Sequence, residues 1–260
     1  MEPYLDLKAV EAYLGSHRVF RDLSLQLHAG QHTAILGPNG AGKSALLKLL
    51  TREIHPVVRA GSHLRLFGSE RVNLWQLRSR IGLVSMDLQA TTRGRIRGAD
   101  VVLSGFFGSM GIGPSQQVTP EQRQRVGRLM DDLGLSDLAE RPYGQLSDGQ
   151  RRRLLLARAL VHQPEVLVLD EPCTALDLRA QHQFLGLLRR LAARGTTLVM
   201  VTHRVDALIP EIERCIFLKE GALIGDGPTA SMLSSRGLST LFGTPLQVCS
   251  ANGYWQVLPA

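Results

Sequence analysis

Cysteine, lysine and aromatic residues are all scarce in this chain, and its apolar runs are short. The three cysteines, Cys173, Cys215 and Cys249, are odd in number and far apart, and no CxxC pair occurs. That spacing supports neither a disulfide framework nor a cysteine-ligated zinc site, and leaves small core or near-core residues. No stretch approaches the roughly 20 apolar residues that a membrane-spanning helix needs. The opening residues, Met1-Glu2-Pro3-Tyr4-Leu5-Asp6, lack the basic-then-apolar order of a signal peptide. A soluble, intracellular protein is therefore expected. Of the 30 Lys plus Arg, only Lys8, Lys43, Lys48 and Lys219 are lysines. Against 23 acidic residues they leave a net charge of +7, which bears on partners and not on fold. Nucleic acid, anionic lipid and nucleotide phosphates all suit such a surface.

What the sequence does contain is ample core material. With 260 residues, 44% of them hydrophobic and 20% charged, it can build one large domain or two small ones and is not a disordered chain. Leu5–Val10 and Leu23–Leu27 alternate as strands do, and His28-Ala29-Gly30-Gln31 reads as a hairpin turn. The short apolar run Thr33–Leu36 reads as a buried strand, and Ala45–Leu50 as a helix. Further helices are expected from Pro120 to about Leu133, after Ser147, and over about 178–193. Ile81–Ser85, Glu165–Leu169 and Thr197–Val201 are apolar strands; the helix between the last two makes a βαβ unit with parallel strands. A hairpin at 215–227, a closing helix at 229–242 and a last β pair near 247–258 complete the expectation.

Between that first buried strand and its helix lies Gly37-Pro38-Asn39-Gly40-Ala41-Gly42-Lys43-Ser44, a match to the P-loop pattern GxxxxGK[ST]. Its glycines allow backbone N–H groups to turn inward as an anion nest, and the following helix points its positive end at the phosphates. Lys43 would neutralise the β and γ oxygens, and the Ser44 hydroxyl would bind Mg²⁺. The strand Val166–Leu169 ends in two carboxylates, Asp170 and Glu171. Ligands of parallel sheets gather beyond the C-terminal ends of the strands, so Asp170 would face the metal and Glu171 could polarise an attacking water.

Leu146-Ser147-Asp148-Gly149-Gln150, 24 residues before Asp170 at its first position, resembles the signature of the ABC ATPase family, usually Leu-Ser-Gly-Gly-Gln. Tyr13 stands where that family has its adenine-stacking aromatic. Thr174-Ala175-Leu176-Asp177 looks like the D-loop, and Val201-Thr202-His203 like the switch histidine. The resemblance covers roughly residues 5–227. It implies an α/β P-loop NTPase of ABC type: a mixed sheet, an N-terminal antiparallel β region and an α-helical subdomain. It implies one domain over 1–260, with about 1–86 and 161–260 as core and about 87–160 as the helical part that carries the signature. It also implies ATP and Mg²⁺ as cofactors, and nucleotide contacts from Tyr13, Gly37 to Ser44, Leu146, Ser147, Gly149, Gln150 and Asp177. Glu171 and His203 would be catalytic, and Ser44 and Asp170 would hold metal. Ser147 and the Gly149 amide, at a helix start, would cap the γ-phosphate of ATP bound by a second copy.

The chain departs from the family where a metal-contacting glutamine is usual. Met86 stands there, with Gln89 three residues on; either Gln89 takes over as a metal contact or the role is lost. The altered stretch, with Val101–Phe107, resembles the molybdate/iron-type ATP-binding subunits. Asp148 replaces a signature glycine and puts a carboxylate near phosphates. Arg93, Arg95 and Arg97 could meet RNA or lipid headgroups, or form an ordinary exposed loop; no aromatic residues interleave with them to stack bases.

Two functions follow. The first is the ATP-hydrolysing subunit of an ABC transporter, homodimeric around two ATP, peripheral at the inner face of the plasma membrane and driving a separate membrane permease. The second is a soluble ABC ATPase acting on a nucleic-acid, ribosomal or protein assembly.

Overall fold

The computed structural model describes residues 2–85 and 94–260; Met86, Gln89 and Arg93 lie outside them. In chain order the strands and helices are β1 (Pro3–Leu14), β2 (His17–His28), β3 (Thr33–Leu36), α1 (Lys43–Leu50), β4 (His63–Leu66), α2 (Leu74–Arg80) and β5 (Ile81–Val84). Then come α3 (Gly98–Leu103), α4 (Pro120–Asp132), α5 (Asp148–Leu160), β6 (Val166–Asp170) and α6 (Leu178–Ala193). The chain ends with β7 (Thr197–Thr202), β8 (Arg214–Lys219), β9 (Ala222–Pro228), α7 (Thr229–Met232), α8 (Ser235–Phe242), β10 (Leu246–Ala251) and β11 (Tyr254–Pro259). Two compact units form: Met1–Leu77 with Thr197–Ala260, and Arg78–Thr196.

In the first unit β1 pairs antiparallel with both β2 and β4. A second, mixed sheet has β3 between β7 and β8, parallel to both, with β9 antiparallel beyond β8. Every residue of β3 and β7 is buried, as a strand covered on both faces requires; hence their unbroken apolar runs. The tight hairpin is not at 28–31. It closes β1 onto β2 at Gly15, where φ is 61°, and pairs Leu14 with His17. Residues 28–31 do turn, with Gln31 N donating to His28 O at 3.3 Å, but they lead into β3, which joins the other sheet. The expected closing helix is two helices, because Leu233 leaves helical geometry (φ −78°, ψ 49°) and Ser234 caps a fresh start by accepting from Gly237 N.

In the second unit β5 runs parallel to β6. Helix α4 starts at a capping box in which Thr119 and Gln122 satisfy each other's backbone N–H, with proline at the first turn. Helix α6 buries Phe184, Leu187, Leu188 and Leu191, one stripe at three- and four-residue spacing.

Two glycines bracket how tightly this packing is set. A Cβ on Gly221, where φ is 74°, would fall 1.8 Å from the Val19 carbonyl oxygen, whereas one on Gly127 would meet nothing within 4 Å. Gly221→Ala is expected to cost at least about 1–3 kcal/mol, and Gly127→Ala, inside α4, to gain about 0.5–1 kcal/mol. Urea midpoints at constant slope measure both, and equal midpoints for the two variants would contradict the packing described.

Candidate nucleotide site

In the first unit, buried β3 delivers the chain to the loop Gly37–Gly42, and α1 follows. Gly42 has φ 105°, and a Cβ there would press on the Phe20 ring at 2.9 Å. Lys43 is 8% exposed, and its Nζ donates to Gly37 O at 2.7 Å and Pro38 O at 3.0 Å. The ammonium thus stands over the loop's own carbonyls. Ala41 N donates to Pro38 O and Leu46 N to Gly42 O, fixing the turn between them. Helix α1 has no side-chain cap and no acid in its first turn, so its positive end is left for an anion. Asn39, Gly40 and Ser44 are exposed.

Gly40 also lines a cleft of about 840 Å³ with His17, Arg18, Val19 and Glu220. Arg18 sits opposite Tyr13 across the β1–β2 ladder. Tyr13 is 39% exposed, and its hydroxyl donates to Glu11 Oε1 at 2.9 Å. Glu11 is buried and pairs with Arg59 and, at 3.6 Å, with Arg18. The Tyr13 hydroxyl, then the charges of Arg59 and Arg18, hold the Glu11 carboxyl below its usual range against the pull of desolvation. The sequence reading missed this anchor, although Glu11 lies only two residues before Tyr13. His203, exposed, follows β7 in the same unit.

In the second unit, β6 is buried up to Leu169 and half-opens at Asp170. Glu171 takes φ 46°, a left-handed conformation uncommon outside glycine and enriched at functional sites. Asp177 caps α6 by accepting from Ala180 N at 2.7 Å. Leu146 is buried and brings exposed Ser147 to the start of α5. There a capping box joins Ser147 Oγ to Gln150 N (3.3 Å) and Gln150 Oε1 to Ser147 N (3.0 Å). A Cβ on Gly149 would fall 2.7 Å from that of Ala180, so the start of α5 is pressed against that of α6.

The arginines after the signature are structural as well as charged. Arg151 donates to the carbonyls of Tyr143 and Gly144 and pairs with Asp148, tying the loop before α5 to the helix. Arg152 is 1% exposed; burial lowers its pKa, while the charges of Cys173, Tyr143, Asp148 and Asp170 raise it. It therefore senses the end of β6 as well as the signature. Arg97 is occupied by Asp100 and Glu140, and Arg95 is exposed.

Residues 20–174 match the family model described as ABC transporter. The chain belongs to the ABC transporter family. The cobalt import ATP-binding protein CbiO of Rhodobacter capsulatus is 38% identical over 241 residues, 91% of this chain and 82% of that protein. A chain of a metal-chelate type ABC transporter in an inward-facing conformation superposes with a TM-score of 0.80 at 28% identity, covering 100% of this chain and 98% of that one. The cassette MJ0796 in a dimeric post-hydrolysis state with ADP and Pi superposes with a TM-score of 0.70 at 25% identity, over 86% and 98%. This chain is an ATP-binding cassette of the ABC type, an ATPase, with the mixed α/β fold of that family.

Glu11→Ala is expected to unpin the Tyr13 ring and raise the KM for ATP about fivefold, the value of one lost hydrogen bond, with kcat nearly unchanged. Steady-state ATPase kinetics read the split, and an unaltered KM would show that the Glu11-anchored ring does not bear on nucleotide binding.

Proposed function

We propose that this chain, working as one cassette over 1–260, is the ATP-driven subunit of a transporter. Two copies close around two ATP and reopen on hydrolysis, moving a separate permease in the membrane. One observation carries the reading. Each chain presents one helix start left uncapped for phosphate, α1 behind its single glycine loop, and a second, α5 behind exposed Ser147, that is capped by its own side chains and keeps the Ser147 hydroxyl proton to donate. The second helix start is then available to ATP held by another copy. A symmetric pair satisfies both surfaces and closes the assembly. Among the described residues no helix is long and apolar enough to cross a membrane, which suits a peripheral position at the cytoplasmic face.

The residues divide the work. Tyr13 stacks on adenine, and the amides of the Gly37–Ser44 segment wrap the phosphates. Lys43 exchanges the Gly37 and Pro38 carbonyls for phosphate oxygens. The Ser44 hydroxyl and Asp170 carboxylate are hard oxygen donors, the kind Mg²⁺ takes one or two of beside substrate phosphates; Gln89 is a further candidate. When bound, the ion would neutralise charge building on the phosphates. Glu171 orients and deprotonates the attacking water, and His203 contacts the γ-phosphate. Ser147, with the Gly149 amide and backed by Leu146 and Gln150, caps the γ-phosphate of the opposite copy, and Asp177 lies beside that junction. Release of phosphate removes the group both copies hold, and the pair opens.

Glu171→Gln is expected to bind ATP normally, lose turnover by at least about a hundredfold and elute as a dimer only with ATP. Lys43→Ala is expected to lose nucleotide affinity. Wild-type turnover in the first variant, or unchanged ATP binding in the second by equilibrium titration, would overturn these roles.

A further inference from the structure

The last two strands, β10 and β11, form a two-stranded sheet of their own. Asn252 and Gly253 between them take φ 52° and 79°, as a tight turn between antiparallel strands requires. Along one face Val248, Trp255 and Val257 are half-buried; along the other Gln247, Cys249, Gln256 and Leu258 are exposed. A lone hairpin is marginal in water, so what it rests on decides whether it stays formed.

It rests on two supports. On one side Ser239 and Ser235, one turn apart on α8, accept hydrogen bonds from Leu246 N at 2.9 Å and Val248 N at 3.0 Å. On the other side β11 lies along the 3-10 turn Val205–Ala207, and a Cβ on Gly253 would fall 2.8 Å from that of Pro210. The hairpin therefore spans from α8 to the segment that follows β7.

That segment opens with His203. Thr202 Oγ1 accepts from Arg204 N at 3.0 Å, Arg204 pairs with Asp206, and Val205, Ala207 and Leu208 are buried. The His203 backbone is thus held between the buried end of β7 and the turn beside β11, while the residue itself is exposed. A group that must meet a reacting phosphate tolerates little misplacement, since about 1 Å can cost a hundredfold in rate. One placed beyond a strand end needs a second support to reach that precision. Every residue of β10 and β11 is half-buried or exposed, so the hairpin adds little to the core.

We propose that the C-terminal hairpin is a clasp that positions His203 for the γ-phosphate, bearing on Pro210 at Gly253 and anchored by the two α8 serines. The proposal rests on the catalytic role given to His203 above. Gly253, Ser235 and Ser239 act only through that residue and are positioning residues.

The test is a double-variant cycle on the full chain, read by single-turnover ATP hydrolysis with protein in excess. Gly253→Ala, which wedges the hairpin off Pro210, is expected to lower the hydrolysis rate about tenfold and to leave the ATP dissociation constant within about twofold. Ser235→Ala combined with Ser239→Ala releases the far anchor and is expected to act in the same direction; it keeps the cycle readable if Gly253→Ala does not fold. In a His203→Ala background neither change is expected to slow hydrolysis further, because the effect passes through the missing ring. Unchanged rates, a loss traced to weaker ATP binding, or equal losses with and without His203 would overturn the clasp alone. Wild-type hydrolysis in His203→Ala itself would overturn the catalytic role of His203 and the clasp with it.

Discussion

A lysine ammonium taken almost wholly out of water must be hydrogen-bonded or it costs several kcal/mol. Lys43 meets that demand with the carbonyls of Gly37 and Pro38, and the rest of the first unit is arranged so that it can. Buried β3 sets the loop's origin. Phe20 leaves no room for a side chain at Gly42, and the Leu218 carbonyl leaves none at Gly37. The loop's shape is therefore set before any phosphate arrives. Binding then asks Lys43 to change partners while the loop backbone, already in shape, acts with its full electrostatic strength in a partly dry site.

The two helix starts are prepared differently, and the difference fits their partners. Helix α1 leaves its first amides uncapped by side chains, so an anion replaces water there directly. Helix α5 is self-capped through Ser147 and Gln150. The Ser147 oxygen is spent on Gln150 N, yet a hydroxyl keeps a proton to donate. Such an end is rigid while alone and can still greet a phosphate from outside. Arg151 holds the preceding loop, and Arg152 sits deep between the signature and the Asp170 end of β6, so the second unit carries its two functional edges on one braced frame.

Much of this was legible from local pattern. The P-loop, the acid-ended strand and the signature are contiguous in sequence, and their chemistry follows from residue type and order. Helix α6 matched its expected span because its apolar stripe and the Asp177 cap are both local signals. The rest depended on residues distant in the chain. Glu11 meets Arg59 only because the β1 region folds back on the loop after α1. The β1–β2 hairpin was passed over because its turn, Gly15-Ser16, is less conspicuous than His28-Ala29-Gly30-Gln31. Arg152 reads as surface in any linear scan, and only packing shows it buried.

The central claim is that one copy's glycine loop and the other copy's Ser147 serve the same ATP. Lys43→Ala and Ser147→Glu chains, each inactive alone, place both defects in one site when they pair, and leave the other site whole. Mixing them in equal amounts should restore ATPase activity, up to about a quarter of wild type for random pairing with one working site in each mixed dimer. A mixture as inactive as its parts would contradict the shared site and leave each chain to hydrolyse ATP by itself.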